Sequence, residues 1–226
     1  MSYIIAGTLD ALPSHIRLHL GAFRYRVFVQ RLQWEIPDMP QDSTSEWDEF
    51  DGGSTVHLVA LSADGTICGC ARLMPTTGPC LLRDVFPHLE GSTPLPASPL
   101  VWELSRFAGA GLIDHRTGAT SGMPLLPYAL SLALSLGATQ VVGVVSRAVA
   151  RLYRRFGLDL QNIGNGVSAE DGHVVACAIQ LTPATFEKLH CDAGTLLSSI
   201  TRIGPLPSSQ QAGPANLATL DREKAS

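Results

Sequence analysis

The sequence predicts a single α/β domain, a mixed β-sheet flanked by helices. Strand-like and helix-like segments interleave along the 226 residues, which is the pattern of a sheet covered by helices. An Asp64-Gly65 pair joins two of the strands as an early hairpin, so part of the sheet is antiparallel. The length suits one large domain, and 45% hydrophobic with 16% charged residues is ordinary for a globular chain.

From His15 to Val29, apolar residues at Ile16, Leu18, Leu20, Phe23, Val27 and Phe28 form an imperfect helical stripe whose far end carries Arg24. Pro37 and Pro40 then open a polar loop holding Asp48 and Asp51, and loops on rigid scaffolds often carry function. Thr55 to Leu61 and Thr66 to Met74 read as the hairpin strands. In the second, a period of two puts Cys68, Cys70, Arg72 and Met74 on one face. Leu100 to Phe107 is a third strand, and the Gly-rich segment after it leads into a Leu/Ala-rich helix over 125–136. Val141 to Ser146 is a fourth strand, and the helix from Arg147 to Phe156 ends at Gly157, a C-capping position. Val174 to Leu181 is a fifth strand. The expected domain is 1–203, and the Pro, Ser, Gln and Ala of 204–226 read as a disordered tail.

A net charge of −4 offers no general attraction for nucleic acid. Five cysteines without a CxxC pair suggest neither a disulfide framework nor a zinc site, and fit reduced thiols in the cytoplasm. His15 and His19 lack the intervening Glu of a zinc helix, so no metal is expected. The first residues lack the basic-then-apolar order of a secretory leader. Leu125 to Val145 is apolar enough to raise a membrane span, but Gly137 divides it into a helix and a β-branched strand. No P-loop or dinucleotide fingerprint is present.

The chemical interest lies in WELSRF, where Glu103 and Arg106 interrupt a strand otherwise suited to burial. Buried charges need partners, and Arg24, Asp48, Asp51 and Arg72 each sit beside apolar or aromatic residues. These six either form structural ion pairs or converge on one site. Strict alternation puts Glu103 and Arg106 on opposite faces, and a β-bulge would reconcile them. Asp48 and Asp51 alternatively cap a turn. Phe28 and Trp34, taken singly, are core residues. Arg147, Arg151, Arg154 and Arg155 form a broad basic face, either solvated or a dock for an acidic partner. Cys68 and Cys70 are better read as buried filler than as nucleophiles.

Together, Arg24, Phe28, Trp34, Asp48, Asp51, the GCARL segment with Arg72, PTTGP with Phe86, and WELSRF resemble the bacterial acyl-homoserine-lactone synthases, the autoinducer synthases of quorum sensing. The match covers the N-terminal half in register and continues more weakly through Ser146 and the basic helix. The resemblance implies an N-acetyltransferase-like fold, a twisted mixed sheet with a cleft between splayed central strands. It implies acyl transfer from acyl carrier protein to the amine of S-adenosylmethionine, then lactone closure with release of methylthioadenosine. S-adenosylmethionine is then a substrate, and no cofactor is required.

Under that resemblance Glu103 is the expected base, with Arg24, Asp48, Asp51, Arg72 and Arg106 as a polar network in which three arginines balance the two aspartates and Glu103. Phe28, Trp34, Arg106 and Phe107 are expected to bind S-adenosylmethionine. Ser146, Met74 and Phe86 line the acyl pocket, and Ser146 favours an unsubstituted chain of medium length. The basic helix docks the carrier protein. Two other readings stand beside this one. An acyl-CoA-dependent N-acyltransferase of the same fold usually has a Gly-rich pyrophosphate loop, where this chain has Ser146-Arg147-Ala148-Val149-Ala150-Arg151. A non-catalytic lactone-binding module needs a pocket but no base.

Overall fold

A computed structural model describes residues 3–37, 39–89, 97–109, 112–113, 120–121, 123–163 and 174–207. The elements run β1 (Tyr3–Thr8), α1 (Ser14–Arg24), β2 (Val56–Leu61), β3 (Ile67–Pro75), α2 (Leu81–Asp84), β4 (Val101–Gly109), β5 (Leu112–Ile113) and β6 (Thr120–Ser121). They continue as α3 (Leu126–Ser135), β7 (Gln140–Ser146), α4 (Arg147–Arg155), β8 (Leu160–Asn162), β9 (Val174–Gln180), α5 (Pro183–Lys188), α6 (Ala193–Ser198) and β10 (Ile200–Ile203). Eight strands form one sheet in the order β10-β1-β2-β3-β4-β7-β9-β8, with β5 and β6 a separate pair. The sheet is mixed, because β1 pairs with β10, and β4 with β7, in parallel, whereas the other neighbours are antiparallel.

The β4/β7 seam decides the shape of the sheet. Pairing runs only from Val101↔Gln140 to Glu103↔Val142, although the two strands extend to Gly109 and Ser146. Beyond Glu103 the strands diverge and leave a V-shaped opening in the middle of the sheet. At its apex a Cβ on Gly143 would stand 2.8 Å from the Leu104 carbonyl oxygen, so the closest approach needs glycine.

Both sheet faces are covered, which removes apolar surface from water on each side. On one, α3 packs Leu126, Ala129, Leu130 and Ala133 against Val56, Leu58, Leu73, Trp102, Val141 and Ile179. On the other, Leu12, Ile16, Leu20 and Phe23 pack on Val59, Ile67 and Cys70. A second cluster on that face joins Cys80, Leu82 and Leu89 to Val101, Val142, Ala176 and Ala178. The charged residues of β3 and β4 stand between these two clusters.

The five expected strands and the helices over 125–136 and 147–156 are present, with ends shifted by at most two residues. The hairpin turn is as expected, with Gly65 at φ 82 and its N–H on the Ser62 carbonyl at 3.0 Å. The expected helix over 15–29 divides into α1 and a π-helix from Tyr25–Arg31, whose wider turn re-aims side chains. The apolar run at 125–145 resolves into α3, a turn with Gly137 at φ 94, and β7. Among the described residues no helix is long and apolar enough to cross a membrane. Of the expected tail, 208–226 lie outside the described residues. Replacing Gly143 by Ala forces the β4/β7 apex apart and should cost about 1–3 kcal/mol, read as a lower urea midpoint.

Candidate active site

Strand register places the site residues. His57 faces Arg72, Arg72 faces Ser105 and Met74 faces Glu103, so these side chains share one face. Arg106 would point away under strict alternation. The register shifts between Cys70 and Arg72: β3 advances two residues while β4 advances three, from Ser105 to Ala108, which is the signature of a β-bulge. Arg106 adopts φ 47 within it, a conformation costing about 1–3 kcal/mol for a residue with a side chain. The Cys70 thiol donates to the carbonyl that the bulge frees, Arg106 O, at 3.1 Å. The bulge thereby turns Arg106 to the same side as Arg72.

Three arginines and three carboxylates then interlock. Arg24, on the last turn of α1, donates to Glu46 through Nε at 2.5 Å and Nη2 at 3.0 Å, and to Asp51 through Nη1 at 2.6 Å and Nη2 at 3.0 Å. Arg72 reaches Ser105 Oγ at 2.9 Å, Asp51 Oδ1 at 2.9 Å and Asp48 Oδ1. Arg106 joins Glu46 Oε1 at 3.0 Å and Asp48 Oδ2 at 2.6 Å. Arg72 Nη2 is buried with no hydrogen-bond partner among the described residues. Asp48 also caps the short turn at Glu49–Asp51, whose own third residue returns a bond to the Asp48 N–H at 2.7 Å. The capping reading and the network reading of the two aspartates are both correct.

Glu46 is the residue that sequence reasoning missed. It is 0% exposed and takes the place in the charge balance assigned to Glu103. The only signal was its position in the run that holds Asp48 and Asp51; a loop has no period to separate buried Glu46 from exposed Glu49. Its N–H donates to the Gly21 carbonyl at 3.0 Å, and a Cβ on Gly21 would lie 2.6 Å from Trp47 Nε1. Glycine on α1 thus lets the acidic loop dock.

Burial disfavours each charge, and the partners outweigh it. Glu46 is held below the ordinary carboxylate range against desolvation by Arg24 and Arg106, and Asp51 likewise by Arg24 and Arg72. Arg24 rises for the same reason, with Asp51 its main support against burial. Buried His57, whose Nε2 lies 3.3 Å from the Asp51 carbonyl, is pushed down to about 4 by burial and stays neutral.

Glu103 stands apart. It is 1% exposed, and its two oxygens accept the backbone N–H of Leu81 at 2.7 Å and Leu82 at 2.9 Å, at the start of α2. Burial raises its pKa to about 7, against the pull of the two amides and Arg72. A carboxyl so placed can hold or release a proton near neutrality. Its expected place among the balanced charges is corrected to a separate position beside them.

Phe28 is buried and stacks on Trp34 at 4.8 Å, while Trp34 is 44% exposed. The Arg106 guanidinium lies 5.5 and 5.6 Å from the two rings. Phe107 is not with them: it packs edge-on to Tyr153 at 6.3 Å, on the α3 side of the sheet. Met74 is buried opposite Glu103, and Phe86 packs against the cluster containing Val142. Ser146 ends β7 and caps α4, its Oγ accepting from Val149 N at 3.2 Å.

On α4, Arg147, Arg151, Arg154 and Arg155 are exposed, and a shallow groove is lined by Ala148, Val149, Arg151, Leu152 and Arg155. Arg154 is turned aside to Asn162 Oδ1 at 2.9 Å and the Leu160 carbonyl at 3.2 Å. Burial pushes the Cys70 thiol up to about 12, so it is no nucleophile. Among the described residues no cluster of three or more His, Cys, Asp or Glu could hold a metal ion.

The model of the autoinducer synthase family matches residues 14–189. The chain belongs to the autoinducer synthase family. The acyl-homoserine-lactone synthase of Ralstonia nicotianae is 40% identical over 178 residues, covering 77% of this chain and 86% of that one. The solved structure of TofI with an inhibitor and MTA is 40% identical, covers 85% of this chain and 98% of its own, and superposes with a TM-score of 0.72. BjaI, a CoA-dependent acyl-homoserine lactone synthase solved with SAM and isopentyl-CoA, is 26% identical over 94% of this chain and 99% of its own, with a TM-score of 0.73. An acyl-CoA N-acyltransferase from Pseudomonas aeruginosa, at 17% identity, 79% and 99% coverage and a TM-score of 0.54, shows the same fold alone. The chain is an acyltransferase of the acyl-homoserine-lactone synthase family with an N-acetyltransferase-like fold.

Glu46→Ala leaves Arg24 and Arg106 short of a buried partner and should cost about 3–5 kcal/mol in urea unfolding. The lowered pKa values of Glu46 and Asp51 mean that their stabilisation is present above their unfolded values near about 4 and is lost as pH falls through the lower folded values. Glu103 acts in the opposite sense, losing its contribution as pH rises toward about 7. The urea midpoint of the native chain should therefore fall on acidification below pH about 4, and that of Glu46→Ala should fall less.

Proposed function

We propose that this synthase transfers an acyl group from acyl carrier protein to the amine of S-adenosylmethionine, then closes the homoserine lactone with release of methylthioadenosine. The observation that carries the reading is Glu103, a sealed carboxyl with a pKa raised to about 7 where β4 and β7 part. Structures of TofI with MTA and of BjaI with SAM support the choice of substrate.

In the first step Glu103 takes a proton from the substrate ammonium, directly or through a water, and the freed amine attacks the thioester carbon. Backbone N–H groups of the diverging strands face the developing oxyanion. The C–S bond breaks, the attacking nitrogen gives up its second proton to the leaving thiolate, and the proton held by Glu103 passes to solvent. In the second step the substrate carboxylate attacks the carbon beside the sulfonium, and a neutral thioether leaves without acid assistance. Arg72 Nη2 is the donor assigned to that carboxylate. Arg24, Asp48, Asp51 and Arg106 hold the wall of the site, and Phe28 and Trp34 offer ring faces to the sulfonium and adenosine. Met74, Phe86 and Ser146 line the acyl channel on the Glu103 side, with Ser146 favouring an unsubstituted medium chain.

Arg151 and Arg155, rimming an apolar groove on α4, suit an acidic carrier protein. The helix start from Ser146 to Arg151 has no glycine to admit a pyrophosphate closely. The second reading, acyl-CoA as donor, is favoured by the likeness to CoA-dependent BjaI. The compartment proposed is the cytoplasm, where carrier protein and S-adenosylmethionine are made.

Incubation with S-adenosylmethionine and either acyl carrier protein thioesters or acyl-CoA separates the donors. Methylthioadenosine and a lactone mass should appear faster with the carrier protein; binding of lactone without methylthioadenosine release would show a non-catalytic module. Glu103→Gln should lower kcat by about 10²–10⁴-fold. Arg151→Glu should raise KM for acyl carrier protein more than KM for S-adenosylmethionine.

A further inference from the structure

The base assigned above is held by backbone, and the flanking side chains Cys80 and Leu82 pack that backbone against Val101 and Val142. Leu81 and Leu82, which donate to Glu103, begin a helix of only four residues, too short to fix its own start. Beside that apolar packing, the polar tether of the helix start is Arg83. Its Nη2 donates to the Thr76 carbonyl at 2.5 Å and its Nη1 to the Gly78 carbonyl at 3.3 Å, both in the turn that follows β3. That turn is pinned in its own right to the start of β4, since Thr76 N donates to the Val101 carbonyl at 3.1 Å and Thr76 Oγ1 to the same oxygen at 2.9 Å. Val101 lies two residues before Glu103. A closed circuit results, from Glu103 along β4 to Val101, across to Thr76, through the Arg83 side chain to α2, and back by two amides to the carboxylate. Asp84 closes the N-terminal end of α2 by accepting Cys80 N at 2.8 Å.

We propose that Arg83 is a positioning residue of this enzyme, holding the Leu81 and Leu82 amides on Glu103. The inference rests on the reading of Glu103 as base. Arg83 touches neither substrate nor the reacting atoms, and acts through the two N–H groups. These amides favour the ionised carboxylate. The other groups facing Glu103 are Arg72 from β3, which also favours the charge, and Asp84 from α2, which opposes it. The Cys80 thiol, pushed up to about 11 by burial, stays neutral. With the staple cut, the amides drift while burial remains, so Glu103 keeps its proton to higher pH and less base is available near neutrality.

The test uses the full chain with Arg83→Met and Arg83→Lys, the second retaining one donor. Two readouts are followed against pH: kcat/KM for S-adenosylmethionine, and the ¹⁵N and ¹H shifts of the Leu81 and Leu82 amides, which report Glu103 ionisation without turnover. Arg83→Met should move both midpoints upward by about one pH unit, a tenfold loss of rate on the acid limb, with the alkaline plateau little changed. Arg83→Lys should recover most of the shift. An amide titration unchanged in folded Arg83→Met overturns the positioning role, as does a uniform fall in kcat without a shifted limb. If the amide titration moves and the rate profile does not, Arg83 positions Glu103 as proposed and the assignment of Glu103 as base fails instead.

Discussion

The buried lattice of Arg24, Arg72 and Arg106 with Glu46, Asp48 and Asp51 is the constraint around which the rest of the site is arranged. Its members come from α1, the acidic loop, β3 and β4, and no one pair satisfies any arginine. Removing charges from water is expensive, and a buried ion pair adds little net stability once that cost is met. What the lattice supplies is definition. It draws the loop onto α1 at Gly21, where a side chain would collide with Trp47, and it holds Arg106 in a backbone conformation that most residues avoid. The bulge and the lattice depend on one another, since each makes the other's geometry affordable.

Electroneutrality of that lattice has a consequence for Glu103. Three positive and three negative groups cancel, so the neighbouring acid sees Arg72 as only a modest attraction and burial dominates its ionisation. Had Glu103 been a member of the lattice, the arginines would have held it ionised and weakly basic, as they hold Glu46 and Asp51. Separating the two functions, a balanced scaffold and a lone carboxyl on backbone amides, leaves one group able to exchange a proton near neutral pH.

The sheet contributes the space. Parallel pairing of β4 and β7 stops at Glu103 and Val142, which puts the acid at the apex where the strands part and leaves unpaired backbone beyond it. An acyl-CoA N-acyltransferase of low identity shares the fold. In this chain the stacked pair Phe28 and Trp34 stands beside Arg106 of the charged lattice.

Much of this was legible in the sequence because local periodicity carries it. Alternation located five strands, Asp64-Gly65 marked the hairpin, and the three-residue spacing of Glu103 and Arg106 raised a bulge as the way to bring both to one face, which the β3/β4 register contains. The edge strand β10 and its neighbour β1 gave no such signal, because their parallel pairing joins residues almost the whole chain apart. Tertiary structure alone decided that Glu46 and not Glu103 completes the lattice, that Phe107 turns to Tyr153, and that Arg154 is spent on β8. The physical reason is common to all three. Residue type and spacing determine which side chains need partners, but in loops and beyond a bulge no fixed period sets direction, so the partner is chosen by which elements the fold brings within hydrogen-bonding reach.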